Sequence, residues 1–176
     1  MHSSVIHPDL TDAELLQAGY RYALALTHHP ADSEDLVQEG WLNLCRRYGR
    51  VESRALLFTT MRNLFIDQCR RRKVVSFESL DAEEYSVVPE VSAEEPGVKG
   101  DLDQLLGILR PNEREMLFLH YYQGHTAEEI SQLTSMPRGT VLSLIHRAIA
   151  KLRAAALASP SAWGRNQWLA FFVLFA

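Results

Sequence analysis

Stretches of helical periodicity alternate along this chain with stretches that have none. Within residues 12–26, Leu15, Leu16, Gly19, Tyr22, Ala23 and Leu26 recur at three- and four-residue spacing, the pattern of an amphipathic helix. Thr11 precedes the run and Glu14 follows three residues later, which predicts a capping box. His29-Pro30 interrupts it, and Asp32 or Ser33 is placed to cap a second helix through Leu36, Val37, Trp41, Leu42 and Leu44 towards Tyr48, with Gly49 closing it. A third helix is expected over about 54–72, with Leu57, Met61, Leu64 and Ile66 turned inward. No two-residue alternation or hairpin dipeptide marks a strand.

Periodicity then lapses over residues 74–100, which contain Pro89 and Pro96-Gly97 and predict a linker. It resumes near Asp101 with Leu102, Leu105, Leu106, Ile108 and Leu109. Pro111 opens a helix extending to Tyr122 that Gly124 stops. Thr126 and Glu129 frame a second capping box before a short helix with Ile130 and Leu133 inside. After the turn Thr134-Ser135-Met136, Pro137 suits the first position of a helix lasting to about Leu157. The fold class is therefore all-α: two small helical domains joined by a flexible acidic linker. The expected boundaries are 10–75 and 101–158 for the domains, 76–100 for the linker and 159–176 for an apolar tail.

A short helix, a tight turn and a long helix, closing a four-helix unit, describe a helix-turn-helix. On the second of its helices Val141, Ile145, Ala148 and Leu152 share a face that would pack on Ile130 and Leu133. Arg138, Thr140, Ser143, His146, Arg147 and Lys151 occupy the other side, where they can donate to phosphates and base edges. Ser135 takes the turn position usually held by glycine, a small strain if its backbone is left-handed.

The net charge of −4 argues against a nucleic-acid binder until its distribution is followed. Residues 46–73 carry nine basic side chains against Glu52 and Asp67, a net of +7. Residues 74–103 carry nine acids against Lys99, a net of −8, and residues 138–176 carry five basic residues and no acid. Such segregation points to separate surfaces with separate partners. The two cysteines, Cys45 and Cys69, form no metal knuckle or disulfide framework and fit small core residues of a cytoplasmic protein. Among seven histidines none makes an i, i+4 ligand pair, so no metal, cofactor or catalytic site is expected. No secretory leader is visible, and the apolar run 168–176 is too short to span a membrane, which excludes insertion.

Several segments together resemble extracytoplasmic-function (ECF) sigma factors, compact alternative subunits of bacterial RNA polymerase. They are Leu109-Arg110-Pro111-Asn112-Glu113-Arg114-Glu115, Glu128-Glu129-Ile130, Gly139-Thr140-Val141, His146-Arg147-Ala148 and Lys151-Leu152-Arg153. The N-terminal half agrees through residues 32–39 and through Arg62-Asn63-Leu64, Ile66-Asp67 and Arg70-Arg71-Arg72. The resemblance implies a non-enzymatic factor that binds core RNA polymerase and recognises and opens promoter DNA. It assigns Asp35, Gln38 and Glu39 to core polymerase. Arg62, Asn63, Arg70, Arg71, Arg72 and Lys73 go to the −10 element, with residues 48–53 as the pocket for a flipped base. The −35 element falls to Arg138, Thr140, Ser143, His146, Arg147 and Lys151. An anti-sigma factor is the further partner implied. The residues alone also fit a stand-alone helix-turn-helix regulator with an N-terminal dimerisation module.

Three features depart from the family pattern. Leu56 stands where relatives usually have tryptophan. Leu142 and Leu144 stand where relatives often carry basic residues, which implies fewer phosphate contacts, or contact with thymine methyls or another protein. The aromatic tail with Trp163, Trp168, Phe171 and Phe172 lies beyond the resemblance and is expected to pack on the second domain or bind a regulator.

Overall fold

A computed structural model describes residues 11–76 and 106–158, with side chains over 11–72 and 106–155. The linker, the start of the second domain near Asp101, the Lys73 side chain and the aromatic tail lie outside the described residues. Within them every regular element is helical, as the periodicity requires: α1 (Asp12–Thr27), α2 (Pro30–Tyr48), α3 (Arg54–Ser76), α4 (Pro111–Leu117), α5 (Ala127–Thr134) and α6 (Arg138–Ala158). The chain divides into two compact units, residues 1–79 and 80–176.

In the first unit α1, α2 and α3 pack pairwise. The expected capping box holds α1: the Thr11 hydroxyl accepts the Glu14 N–H at 3.3 Å and the Glu14 carboxylate accepts the Thr11 N–H at 2.8 Å. The α2 cap differs from expectation. His29 is the N-cap, its Nδ1 accepting the Asp32 N–H at 3.3 Å, with Pro30 in the first turn where its missing N–H is harmless. Ser33 is buried instead, and its hydroxyl donates to the His29 carbonyl at 2.7 Å. A proline at the helix start fixes the boundary more tightly than a polar side chain two residues on. Gly49 closes α2 with φ 80°, as anticipated.

Two glycines let the helices approach. A Cβ on Gly40 would lie 2.7 Å from Met61 Cγ, and one on Gly19 would lie 3.0 Å from Leu57 Cδ2. Leu57 and Met61 are buried as expected, and Phe58 joins them, stacked on Tyr22 with ring centroids 4.2 Å apart. Leu64 and Ile66 are only half-buried. Two residues apart on a helix, they point in nearly opposite directions and cannot both face one core.

In the second unit α4 gives way to a π-helical turn, Phe118–Tyr122, rather than continuing as an α-helix to Tyr122. The Gln123 N–H reaches back five residues to the Phe118 carbonyl at 3.0 Å, and Gly124 then reverses the chain with φ 74°. Burial of Ile130, Val141, Ile145, Ala148 and Leu152 locks α5 onto α6 as the periodicity indicates. Between them Ser135 does adopt the left-handed conformation, φ 55° and ψ 30°. The Ser131 hydroxyl donates to the Met136 carbonyl at 2.6 Å and fixes the turn. Helix α6 begins at Arg138, one residue later than expected, because the Pro137 carbonyl accepts its first hydrogen bonds.

Candidate nucleic-acid and protein interfaces

On α2, burial of Leu36, Val37, Gly40 and Leu44 turns the opposite side of the helix to solvent. Asp35, Gln38 and Glu39 are all exposed there, and their spacing puts them on one stripe. Asp32 is the acid of the first turn, where a carboxylate complements the helix dipole. Asp35, Gln38 and Glu39 lie beyond that turn, so the dipole does not account for the stripe. Leu42, read as part of the inward pattern, instead extends this stripe and is 50% exposed. Its seven-residue distance from Asp35 was the available signal. The Glu39 carboxylate accepts a hydrogen bond from Gln68 Nε2 at 3.1 Å, tying the stripe to α3.

The C-terminal part of α3 carries the second group. Arg62 is half-buried, and Asn63, Arg70, Arg71 and Arg72 are exposed. Asp67 lies 3.5 Å from the Arg70 guanidinium, a surface pair too solvated to neutralise the cluster. Asn63, Asp67 and Arg70 share one face by spacing. The loop 48–53 is pinned by buried Val51 and carries an Arg50–Glu52 ion pair at 3.6 Å. Tyr48 is exposed beside it, with the Arg47 guanidinium 5.3 Å over its ring. An exposed aromatic ring among arginines can stack on an unpaired base.

The third group is on α6, and here the structure sorts the residues anew. Arg138, Thr140, Ser143, His146 and Arg147 are exposed. Leu144 is not: it is 8% exposed and belongs to the core with Val141 and Ala148, three residues before and four after it. Its place on a surface depleted of cations is thereby corrected. Leu142 does stand out to solvent, 37% exposed. Lys151 has an inward partner: its Nζ lies 2.8 Å from Oε2 of Glu113, whose side chain is 3% exposed. The same oxygen accepts the Arg110 N–H at 2.9 Å, so one carboxylate caps α4 and clamps α6 onto it. Beside it, buried Arg114 donates to the Leu109 carbonyl. No spacing rule links positions 113 and 151, and only the packed unit joins them.

In α5 the Thr126 N–H, then its hydroxyl, hold the exposed Glu129 carboxyl below its ordinary value of 4.5, and the Thr11 box does the same to Glu14. Among the described residues no three His, Cys, Asp or Glu side chains converge to hold a metal ion, and no helix is long and apolar enough to cross a membrane.

Comparison with known proteins connects these surfaces. Residues 13–74 match the family model of Sigma-70 region 2, and residues 99–152 match that of Sigma-70 region 4. The ECF RNA polymerase sigma factor SigE of Mycolicibacterium smegmatis is 34% identical over 148 residues, covering 76% of this chain and 55% of the relative. The chain thus spans about half the length of that relative. The ECF RNA polymerase sigma factor SigL of Mycobacterium tuberculosis is 33% identical, with 76% of this chain and 80% of the relative covered. The sigma factor RpoE of Bartonella quintana, whose crystal structure holds it in complex with the anti-sigma factor NepR, superimposes with a TM-score of 0.59 at 25% identity. That alignment covers 80% of this chain and 90% of RpoE.

Proposed function

The chain belongs to the ECF sigma factors, and from that premise we propose that it binds core RNA polymerase and directs it to initiate at specific promoters. The observation that carries the reading is the occurrence of both sigma modules, in order, with an outward polar stripe on the first and an outward recognition helix on the second. Asp35, Gln38 and Glu39 grip the polymerase, and Leu42 adds apolar contact at the C-terminal end of that stripe. Arg62, Asn63, Arg70, Arg71, Arg72 and Lys73 hold the −10 strand, with residues 48–53 receiving a flipped base. Arg138, Thr140, Ser143, His146 and Arg147 dock α6 on the −35 element. Lys151 acts instead through Glu113, positioning α6 rather than touching DNA.

Residues 10–75 and 101–158 are the two functional domains, 76–100 the acidic tether and 159–176 an accessory tail. The factor lends specificity and carries out no bond chemistry, so it needs neither metal nor cofactor. It works where the bacterial polymerase works, in the cytoplasm. An anti-sigma factor is the partner expected to restrain it, as in the complex of its structural neighbour.

Run-off transcription with purified core polymerase tests the proposal. Addition of the chain is expected to yield discrete transcripts from a subset of genomic promoters. Exchanging Asp35 and Glu39 for lysine should abolish both transcription and co-purification with polymerase. DNA binding without initiation would overturn the proposal in favour of a stand-alone regulator.

A further inference from the structure

The outward surface of α6 is built unlike a phosphate-binding surface. Burial of Val141, Leu144, Ile145, Ala148 and Leu152 fixes which side faces away from the unit. By helical spacing, Gly139, Leu142, Ser143 and His146 form the centre of the opposite side, neighbours three and four residues apart. All four are exposed. The permanent cations of the first three turns, Arg138 and Arg147, stand to either side of that centre. Arg138 is steadied by Glu128 at 4.0 Å, and Arg147 donates to the Ser143 carbonyl at 3.3 Å.

This division suits a helix lying in a DNA groove, with its flanking cations on phosphates and its centre on base edges. Gly139 is not needed by the fold, since a Cβ there would meet nothing within 4 Å. Its bare backbone leaves clearance beside Leu142 for the floor of the groove. Ser143 and His146 can exchange hydrogen bonds with base edges. Leu142 cannot, and the one apolar feature that the major groove offers is the thymine C5-methyl.

We infer that Leu142 is a specificity-determining residue that selects a thymine within the −35 element by contact with its methyl group. The inference rests on the sigma-factor reading and adds to it the identity of a base. Leu144 has no such role, because it is buried.

Holoenzyme reconstituted with the full chain would first select its promoter from a library randomised across the −35 element. Each thymine selected would then be replaced singly by deoxyuridine, which deletes the methyl and leaves every hydrogen bond. One replacement is expected to weaken promoter binding by about fourfold, the equivalent of burying one methyl-sized group. Leu142→Ala should bind thymine and deoxyuridine alike at that position, and Leu142→Met, which keeps an apolar side chain, should restore the discrimination. Selection without a thymine, tolerance of deoxyuridine at every position, or an undiminished deoxyuridine effect in Leu142→Ala would each overturn the inference. Failure of the holoenzyme to form or to initiate would instead overturn the sigma-factor reading, and the inference with it.

Discussion

Replacing Lys151 with methionine separates a structural from a DNA-contacting role for that lysine. The substitution keeps an unbranched apolar side chain and deletes the ammonium 2.8 Å from Glu113. The Glu113 carboxylate, 3% exposed, would then retain only the Arg110 N–H among the partners the structure shows for it. Breaking a fully buried pair costs about 3–5 kcal/mol. Lys151 is 40% exposed, so water reaches its side of the pair and the cost falls to about 2 kcal/mol. For a unit of this size that lowers Tm by roughly 8–16 °C. Hydrogen exchange at α6 amides across a urea series reads this stability separately from that of the first unit. The double variant Glu113→Gln/Lys151→Met removes the orphaned charge and should recover about 1 kcal/mol relative to Lys151→Met alone. In holoenzyme, Lys151→Met should leave the salt dependence of promoter binding unchanged, whereas Arg147→Ala should lower its slope by about 1. Unchanged stability together with a reduced salt slope would refute the reasoning and make Lys151 a phosphate contact.

Other expectations concern the turn, the helix crossing and the caps. Ser135→Gly relieves a left-handed serine and should stabilise the second unit by roughly 1 kcal/mol, read as a higher Tm; no gain would mean that the turn is unstrained. Gly40→Ala pushes a Cβ towards Met61 Cγ in a filled core and should destabilise the first unit by about 1–3 kcal/mol in urea unfolding. A neutral result would show that α2 and α3 can move apart freely. Glu129, whose pKa is lowered by the Thr126 N–H and hydroxyl, stabilises α5 above its ordinary pKa of 4.5, and that contribution disappears as pH falls through the lower folded value. Glu129→Gln should therefore weaken α5 near neutrality and flatten its acid dependence, measurable as amide exchange from roughly pH 3 to 6.

Much of this protein was written locally. Capping boxes at Thr11 and Thr126, the stops at Gly49 and Gly124, and the buried stripes of α1 (all but Leu16, which is exposed) and α6 depend on neighbours within about one or two helical turns. Such features are determined by the sequence because each is settled by groups a few residues apart. The two-module order is likewise a sequence property, carried by motifs in register across an acidic segment. Periodicity fails where packing decides between candidates that it cannot rank. Leu42 and Leu144 look alike in sequence, yet one is exposed and the other buried, because each helix meets its neighbours along one stripe only. Gly40 is a breaker by local rules and a close-contact residue in three dimensions, a role set by Met61 on another helix. Lys151 belongs by composition to a basic surface, but it is claimed by a carboxylate 38 residues earlier in the chain. Only the tertiary structure brings that pair together, since the low-dielectric environment that makes a buried carboxylate seek a cation exists only once α4 and α6 have packed.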